Sequence, residues 1–490
     1  MGHKINLRNY FLHKLFYTPN LYYIVEISNT CDILNVNVIG KDTTMRISNF
    51  QTSRKLAMLL GDIVLIGIAY ILSVSFVMRY HIGVENIFIY NGLFPIMICV
   101  TGMMLNINEL YTILTKGFSE VFIGVLAANI CSLVLIMAFS FLIKDYTYSR
   151  WVLLVAFVLQ TIFLEIWRYM LWQMGRSMIG TKEVILLSSV LEYNRVKHRL
   201  RLYSQMNINL KEVYTDLAND LWKRKVLTVD CILLGAEIDY TTKVNIINFC
   251  YKHGIQVVLL PDISTIFAME AQLDKIDDVP VLRLNNLRPS LEVRALKRIL
   301  DVLFSFIGFI IVLPCLLVSA LAIKISDGGP ILYSQVRIGL DGKEFKIYKL
   351  RTMRVDAEKF SGPILAQEHD PRITKLGSFL RAVRLDEIPQ IWNVLIGDMS
   401  IVGPRPERPF FVRGFLEEMS EYAYRHNVKP GITGMAQVYG KYNTTAYDKL
   451  VYDLMYIQKC NLFTDLVIII QTVKVLFSKS ATEGFGKITR

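Results

Sequence analysis

Charged residues are scarce in this chain of 490 residues: Asp, Glu, Lys and Arg together make up 20% of it, and 53% is hydrophobic. This composition excludes an intrinsically disordered chain and is more apolar than that of an average soluble enzyme. Metal-binding motifs are also missing, because the seven cysteines form no CxxC pair and the seven histidines form no HxxxH pair. The cysteines are odd in number and scattered along the chain, which argues against a disulfide framework as well.

Four stretches in the first third of the chain are long and apolar enough to cross a bilayer. They are residues 56–78, 87–105, 121–143 and 151–172. Arginines and lysines flank the first and last of them, so we expect both ends of this group on the cytoplasmic side. These stretches predict a membrane domain of four transmembrane helices over residues 51–175. Residues 1–50 have no apolar core of the signal-peptide type and are predicted to form a cytoplasmic N-terminal extension.

Short apolar runs then alternate with helix-like segments, at residues 184–187, 231–234 and 257–260. This alternation predicts βαβ units and a small α/β domain, a degenerate Rossmann-like fold, over residues 181–287. A dinucleotide site would need glycines in the turn after the first strand. Ser188 and Ser189 occupy that turn. The sequence therefore favours a structural, regulatory or dimerising domain over a nucleotide-binding one.

A fifth charge-free stretch, residues 302–323, allows two arrangements. Basic residues flank it on both sides, and Pro314 near its middle favours a kink or break. We expect a re-entrant helix, over about residues 299–323, that enters and leaves the same leaflet, with Pro314 as the membrane break. The alternative is a kinked helix that crosses the bilayer completely. The excess of basic residues over 288–384 fits either anionic lipid or a phosphate-rich substrate.

Two adjacent carboxylates, Asp386 and Glu387, follow Arg381 and Arg384. Pro389 is tolerated in the first turn of a helix, so a helix is predicted to begin near this pair. Adjacent acids on a surface are usually capping or solvated groups. Here the neighbouring arginines, which could neutralise phosphate charge, favour a catalytic site.

A proline-rich turn follows the carboxylates. Pro404 and Pro406 restrict the backbone around Arg405, so that its guanidinium group is presented with little entropy left to lose. Such a group suits phosphate oxygens, and the alternative is a stiff turn with a solvent-facing arginine. Farther along the chain, Asp453 lies in a predicted helix.

Together these motifs resemble the bacterial sugar transferase family, the polyisoprenyl-phosphate hexose-1-phosphate transferases. The resemblance includes LDEIPQ, GPRPE and KPGITG, and its matching stretches are residues 297–301, 329–339, 345–353, 385–390, 393–399, 403–407 and 429–434. Nearly the whole chain after Phe50 resembles the long form of the family, which includes undecaprenyl-phosphate glucose and galactose phosphotransferases, whereas residues 1–50 match no part of it. The expected fold class is therefore membrane α-helical plus α/β: four transmembrane helices, the Rossmann-like domain, and a monotopic catalytic domain over residues 292–490.

The resemblance implies a reaction. A hexose 1-phosphate passes from a UDP-sugar to undecaprenyl phosphate, UMP is released, and surface or exopolysaccharide synthesis begins. By the same resemblance Asp386 is the nucleophile that forms a covalent aspartyl-phosphosugar intermediate. Mg²⁺ is the implied cofactor, with Glu387 and Asp386 as its ligands, and Glu387 is a candidate either for the metal or for handling a proton. The implied substrate- and phosphate-binding residues are Lys349, Arg351, Arg381, Pro404, Arg405 and Asp453.

The implied location is the bacterial inner membrane, with the catalytic domain on the cytoplasmic side. Its partners are the UDP-sugar donor, the undecaprenyl phosphate acceptor and the lipid bilayer. The additional α/β domain makes a homodimer a reasonable expectation, and nucleic acid is not expected because no recognition motif is present.

Two alternatives remain open. One is a membrane-bound nucleotide-sugar dehydratase or epimerase, although the glycine-rich cofactor loop of such an enzyme is missing; the other is an inactive scaffold for polysaccharide assembly. The chain departs from the family at Leu313, where Ser is common, and at Met435, where Trp is common. No motif identifies the sugar.

Overall fold

The computed structural model of the chain describes residues 41–80, 87–112, 116–142, 150–178, 182–194, 208–217, 220–355, 370–440 and 444–476. The chain divides into two compact units, residues 1–51 and 52–490. The predicted N-terminal extension lies outside the described residues except at its last turns. The account below concerns the second unit.

Four apolar helices come first, as the sequence predicts: α1 (Lys41–Arg79), α2 (Ile87–Ile107), α3 (Phe118–Leu142) and α4 (Arg150–Met178). Three segments of them are long and apolar enough to cross a membrane: Lys55–Arg79, Phe118–Phe141 and Trp151–Gly175. The apolar part of α2 for which side chains are described, Phe94–Ile107, is shorter.

Polar side chains of this domain point inward. Arg168 on α4 donates to Oδ2 of Asp62 on α1 at 2.7 Å, and both side chains are buried. Gln160 on α4 donates to Oδ1 of Asn129 on α3 at 2.7 Å. Apolar side chains such as Leu60 and Ile71 are exposed instead. This distribution is typical of helices packed within a bilayer, where a polar group needs a partner inside the bundle.

A four-stranded parallel sheet follows, with the order β2-β1-β3-β4. Its strands are β1 (Lys182–Leu187), β2 (Ile208–Tyr214), β3 (Cys231–Leu234) and β4 (Gln256–Leu259). Its helices are α5 (Leu221–Val226), α6 (Tyr240–Lys252) and α7 (Ile263–Met269). An antiparallel hairpin completes this region, with β5 (Gln272–Ile276) and β6 (Val279–Arg283). The three predicted apolar runs form β1, β3 and β4, whereas β2 was not predicted because this edge strand alternates with polar residues.

The fifth apolar stretch belongs to α8 (Leu291–Asp327), which begins at the N-cap Ser290 and ends at Gly328 with a φ of 69°. The helix is continuous through Pro314, so the chain shows no helix break there. Most apolar side chains in its middle are exposed, Phe306 and Ile311 among them. Its segment Leu291–Ser326 is long and apolar enough to cross a membrane.

The described residues that follow α8 form a mixed α/β domain. Its strands are two pairs, β7 (Leu332–Ile338) with β8 (Glu344–Leu350), antiparallel, and β9 (Ser400–Val402) with β10 (Gly431–Thr433), parallel. Its helices are α9 (Lys375–Ala382), α10 (Gln390–Ile396), α11 (Pro409–Glu418), α12 (Met435–Tyr439), α13 (Ala446–Gln458) and α14 (Leu462–Leu476). Leu450, Leu454 and Tyr422 lie in its core.

Helix α14 joins this domain to the membrane helices. Ile468 packs into the core of the mixed α/β domain, whereas Ile470 packs against a cluster that includes Met58 and Leu164. Gln471 donates its side-chain amide to the carbonyl oxygen of Ile107 at the end of α2. Much of the apolar surface of α14 therefore packs against protein.

Candidate active site

Asp386 and Glu387 lie in a single turn of 3-10 helix, Leu385–Glu387, between α9 and α10. Helix α10 begins immediately afterwards, with Pro389 as its N-cap, close to the predicted helix start. Arg384 precedes the turn with a φ of 59°, a left-handed conformation that is uncommon for a residue with a side chain. The chain reverses there and directs both carboxylates toward β8 and the proline-rich turn.

Glu387 is surrounded by cations. Its Oε1 accepts from Nζ of Lys349 at 2.7 Å and from the guanidinium of Arg405 at 2.9 Å. Its Oε2 lies 3.7 Å from the guanidinium of Arg384. Burial alone would raise the pKa of Glu387, but Arg405 and Lys349 outweigh burial and hold this pKa well below its usual range. Glu387 is therefore ionised at neutral pH.

Asp386 has a different environment although it is the adjacent residue. It is buried, and among the residues that the structure describes its Oδ1 has no hydrogen-bond partner. Burial raises the pKa of Asp386, the charge of Glu387 adds to this effect, and Lys349, Arg381 and Arg384 oppose it. A carboxylate with few hydrogen bonds, held beside cations, has oxygen lone pairs free to attack an electrophile. The two neighbouring carboxylates thus have environments suited to different roles.

Lys349 is held in place by the packing of α10 on β8. Asn393 on α10 is fully buried, donates to the carbonyl oxygen of Lys346 at 2.7 Å and accepts from the backbone N–H of Tyr348 at 3.1 Å. These two bonds fix the strand that carries Lys349 relative to the helix that follows the dyad. Burial lowers the pKa of Lys349, while the carboxylate of Glu387 opposes this shift.

Arg405 is positioned by the pairing of β9 with β10. The backbone N–H of Gly403 donates to the carbonyl oxygen of Thr433 at 2.8 Å, and that of Gly431 donates to Pro404 at 2.9 Å. A Cβ at Gly403 would lie 2.3 Å from the carbonyl oxygen of Lys429, so only glycine fits this close approach. The turn at Pro404 is therefore fixed from both sides.

A second arginine lies behind this turn. Arg425 donates to the carbonyl oxygen of Arg405 at 2.9 Å and forms an ion pair of 2.8 Å with Asp453. Both members of the pair are buried. Burial raises the pKa of Asp453 to about 6, although Arg425 opposes this shift.

The structure brings some of the predicted site residues together and places others apart. Lys349 and Arg405 contact Glu387, and Arg381, which donates to Thr352 Oγ1 at 2.8 Å, is near enough to influence Asp386. Arg351 is buried against Gly329. Asp453 is bonded to Arg425, so it reaches the dyad through other residues.

Two residues that hold the site together were not assigned a role from the sequence. Arg425 lies in a polar stretch without a motif, and Asn393 lies in a matching stretch but carries no charge. Each of them acts through residues that are distant in the sequence. Arg425 contacts Arg405 and Asp453, and Asn393 contacts the backbone of residues 346 and 348. No local pattern indicates such pairings.

The dyad suits a hard divalent cation that is also held by its substrate. Mg²⁺ usually binds through one or two carboxylates together with substrate phosphates. Within the described ranges, Oδ1 of Asp386 has no hydrogen-bond partner, and the ion pair of Glu387 Oε2 is with Arg384 at 3.7 Å. Within the described residues no three His, Cys, Asp or Glu side chains cluster as a metal site made by protein alone. The acids present fit a metal shared with a phosphate substrate.

Comparison with known proteins matches this site to one family. The sequence model of the bacterial sugar transferases matches residues 292–479. This match includes α8, the dyad, the proline-rich turn and α13.

Three relatives illustrate the similarity. UDP-glucose:undecaprenyl-phosphate glucose-1-phosphate transferase of Klebsiella pneumoniae is 37% identical over 274 residues, which cover 54% of this chain and 58% of the relative. UDP-N-acetylgalactosamine-undecaprenyl-phosphate N-acetylgalactosaminephosphotransferase of Aeromonas hydrophila is 39% identical over 215 residues, 43% of this chain and 49% of the relative. The chain thus spans about half the length of these two relatives.

A third relative is matched over more of its length. UDP-glucose:undecaprenyl-phosphate glucose-1-phosphate transferase of Caulobacter vibrioides is 41% identical over 197 residues, 39% of this chain and 73% of the relative. These matches confirm the resemblance found in the sequence, and the chain belongs to the bacterial sugar transferase family.

Proposed function

We propose that this protein transfers a hexose 1-phosphate from a UDP-sugar to undecaprenyl phosphate, releases UMP, and thereby initiates the synthesis of a surface or exopolysaccharide. The observation that carries the proposal is the contrast between two adjacent carboxylates. Asp386 is buried and its Oδ1 accepts no hydrogen bond from the described part of the chain, whereas Glu387 is ionised among cations. The names of the three relatives support the acceptor and the class of donor.

The proposed reaction begins at Asp386. Its carboxylate attacks the phosphorus that bears the sugar, the bond from this phosphorus to the UMP oxygen breaks, and UMP leaves with the bonding electron pair. The product on the protein is an aspartyl-phosphosugar. A phosphate oxygen of undecaprenyl phosphate then attacks the same phosphorus, and the Asp386 carboxylate leaves unchanged. Neither step requires the protein to donate a proton.

Glu387 organises the cations. Because the pKa of Glu387 lies well below its usual range, this carboxylate is a poor proton acceptor, and we assign it to charge and metal binding rather than to proton transfer. Mg²⁺, held by Glu387 and Asp386 and by substrate phosphates, would neutralise charge on the donor diphosphate.

Lys349 and Arg405 are the proposed phosphate-binding groups. Both contact the same oxygen of Glu387, so a diphosphate at this point meets two cations held 2.7 and 2.9 Å from one atom. Pro404 restricts the backbone of the turn that carries Arg405. Arg381, which precedes the dyad in the chain, contributes a further positive charge near Asp386. We propose that Arg351 and Asp453 support the site from buried positions.

The two ends of α8 support a re-entrant path. Arg298 near its start donates to the carbonyl oxygen of Leu395 at 2.8 Å, and Ile323 near its end packs with Leu350 and Leu380. A straight helix between residues 298 and 323 would be about 37 Å long, more than the roughly 30 Å of a bilayer core. Both ends nevertheless pack on the same α/β domain, so we propose that the helix bends at Pro314 without a break in its helical hydrogen bonding and that both ends lie on the cytoplasmic side of the inner membrane.

The parallel sheet of β1 to β4 supports a Rossmann-like assignment for the domain that precedes α8. Its strand order, with β2 on one side of β1 and β3 on the other, is that of the doubly wound folds.

The experiment is UMP release by the protein in nanodiscs with Mg²⁺, undecaprenyl phosphate and a panel of UDP-sugars. We expect release with at least one donor and its loss in Asp386→Asn. Asp341→Asn is the matched control, because Asp341 is part of a surface ion pair with Arg288 and has a φ of 54°, which asparagine tolerates. Full release by Asp386→Asn would refute the covalent role.

A further inference from the structure

The crevice between β1 and β3 is the position at which a sheet of this topology would bind a ligand. The chain leaves β1 toward β2 on one side and continues to β3 on the other, so the two strands flank the point where the strand order reverses. In open α/β sheets, ligands bind outside the carboxyl ends of the strands at this point. Phosphates are usually held there by backbone N–H groups.

A side chain of the protein itself occupies this crevice. Glu192 lies in a helical segment that follows β1 and is described over residues 190–194, and its side chain is fully buried. Its Oε1 accepts from the backbone N–H of Ala236 at 2.9 Å, and its Oε2 accepts from that of Glu237 at 3.4 Å. These two N–H groups lie just after β3. They are the kind of donors that would otherwise face an anionic ligand.

The approach of the carboxylate to the backbone is close. A Cβ at Gly235 would lie 2.1 Å from Oε2 of Glu192 and 3.0 Å from Cα of Ser188. Only glycine therefore fits at the end of β3 with Glu192 in place. Gly235 thus leaves room for a carboxylate of the same chain beside the two backbone N–H groups that follow β3.

Two further contacts hold the mouth of the crevice. The hydroxyl of Ser189, after β1, donates to Oε2 of Glu237, after β3, at 2.5 Å. From α6, Lys243 donates to the carbonyl oxygen of Ala236 at 3.0 Å. The loops that follow the two strands are thus tied to each other as well as to Glu192.

We propose that Glu192 is a built-in ligand, which occupies the anion position of the crevice and closes this domain to nucleotides. A charge-assisted bond from a buried carboxylate to backbone N–H groups contributes more than a neutral hydrogen bond. Glu192 then stabilises the two loops permanently, as a bound nucleotide would do only when present.

The first test uses hydrogen–deuterium exchange on the full chain in nanodiscs, with NAD⁺ and ADP as probes. We expect neither probe to change exchange in peptides that contain residues 186–192 or 234–238. Protection of those peptides by either nucleotide would overturn the proposal, whatever happens in the catalytic domain.

The second test removes the carboxylate. In Glu192→Ala the amides of Ala236 and Glu237 should exchange at least tenfold faster than in the wild type. Formate should restore part of their protection, and chloride at equal ionic strength should not. Asp220→Ala is the matched control, because Asp220 is exposed in a surface pair with Lys223 of the same domain. Unchanged protection in Glu192→Ala would overturn the proposal.

Glu192→Gln covers the case in which the alanine variant does not fold. It keeps the size of the side chain but loses its charge, and its NH2 group replaces one of the two acceptor oxygens, so one of the two backbone N–H groups loses its acceptor. We expect faster exchange at the amide left without an acceptor, and wild-type exchange at both amides would contradict the proposal equally.

Discussion

Arg425 and Asp453 form a buried ion pair of 2.8 Å directly behind Arg405. Arg425 also donates to the carbonyl oxygen of Arg405 at 2.9 Å, and the guanidinium of Arg405 reaches Glu387 at 2.9 Å. Helix α13, which carries Asp453, is therefore linked to the dyad through two arginines. Asp453 is a positioning residue in this arrangement, because it contacts Arg425 rather than the dyad.

Asp453→Asn should reduce the rate of UMP release without abolishing it. The substitution leaves the buried charge of Arg425 uncompensated, so the turn at Arg405 loses its fixed position, and small displacements of binding groups cost about 10- to 100-fold in rate. The measurement is kcat and KM for the donor. Asp453→Glu should recover more activity than Asp453→Asn, and equal kcat and KM in Asp453→Asn and the wild type would contradict the positioning role.

Activity should fall as the pH falls through about 6, the value to which burial raises the pKa of Asp453. Below this pH Asp453 becomes protonated and its attraction for Arg425 weakens. The pKa of Asp386 is also raised, by burial and by Glu387, and a protonated Asp386 cannot attack phosphorus. Both effects act in the same direction on the acidic side of the rate profile.

The pH–rate profile of Asp453→Asn distinguishes the contribution of Asp453 from that of Asp386. That variant should keep the fall caused by Asp386 and lose the component near pH 6. A variant profile identical in shape to that of the wild type would show that Asp453 does not contribute.

Glu387→Gln should weaken the dependence on Mg²⁺. The amide keeps the size of the side chain but removes the charge that Lys349 and Arg405 neutralise, and it is a poor metal ligand. We expect the Mg²⁺ concentration for half-maximal UMP release to rise about tenfold or more, a loss of about 1.4 kcal/mol in binding. An unchanged Mg²⁺ dependence with an altered pH profile would instead favour the proton-handling role.

The re-entrant path of α8 predicts that both of its ends react from the same side. Single cysteines at Leu296 and Ile325, both exposed, can be introduced after all seven native cysteines, the exposed Cys99 and Cys315 among them, are replaced by serine. A membrane-impermeant maleimide should label both positions from the cytoplasmic side only. Labelling of the cysteine at Ile325 from the opposite side would show a helix that crosses the bilayer.

The sequence predicted what depends on local pattern. Apolar length identifies the four first helices, and alternation identifies β1, β3 and β4. The motifs also place Lys349 and Arg405 at one site with the dyad, where the structure finds both bonded to Glu387.

Other features depend on contacts between distant residues, and no local pattern predicted them. The edge strand β2 has polar residues that resemble a loop. The segment that forms α14 has the apolar pattern of an interfacial helix, but Ile468 and Ile470 find partners in two different domains. In the sequence Glu192 is an acidic residue at the start of a basic, helix-like stretch, and nothing nearby indicates that its carboxylate accepts a hydrogen bond from the backbone of Ala236.

The central claim is that Asp386 carries the phosphosugar, and a single-turnover experiment without acceptor tests it most directly. The protein in nanodiscs is mixed with Mg²⁺ and its preferred UDP-sugar, labelled with ³²P at the phosphate that bears the sugar. We predict release of about one UMP per active site, with the label retained on the protein until undecaprenyl phosphate is added, and neither event in Asp386→Asn. Release of UMP only when acceptor is present, with no label on the wild-type protein, would contradict the account.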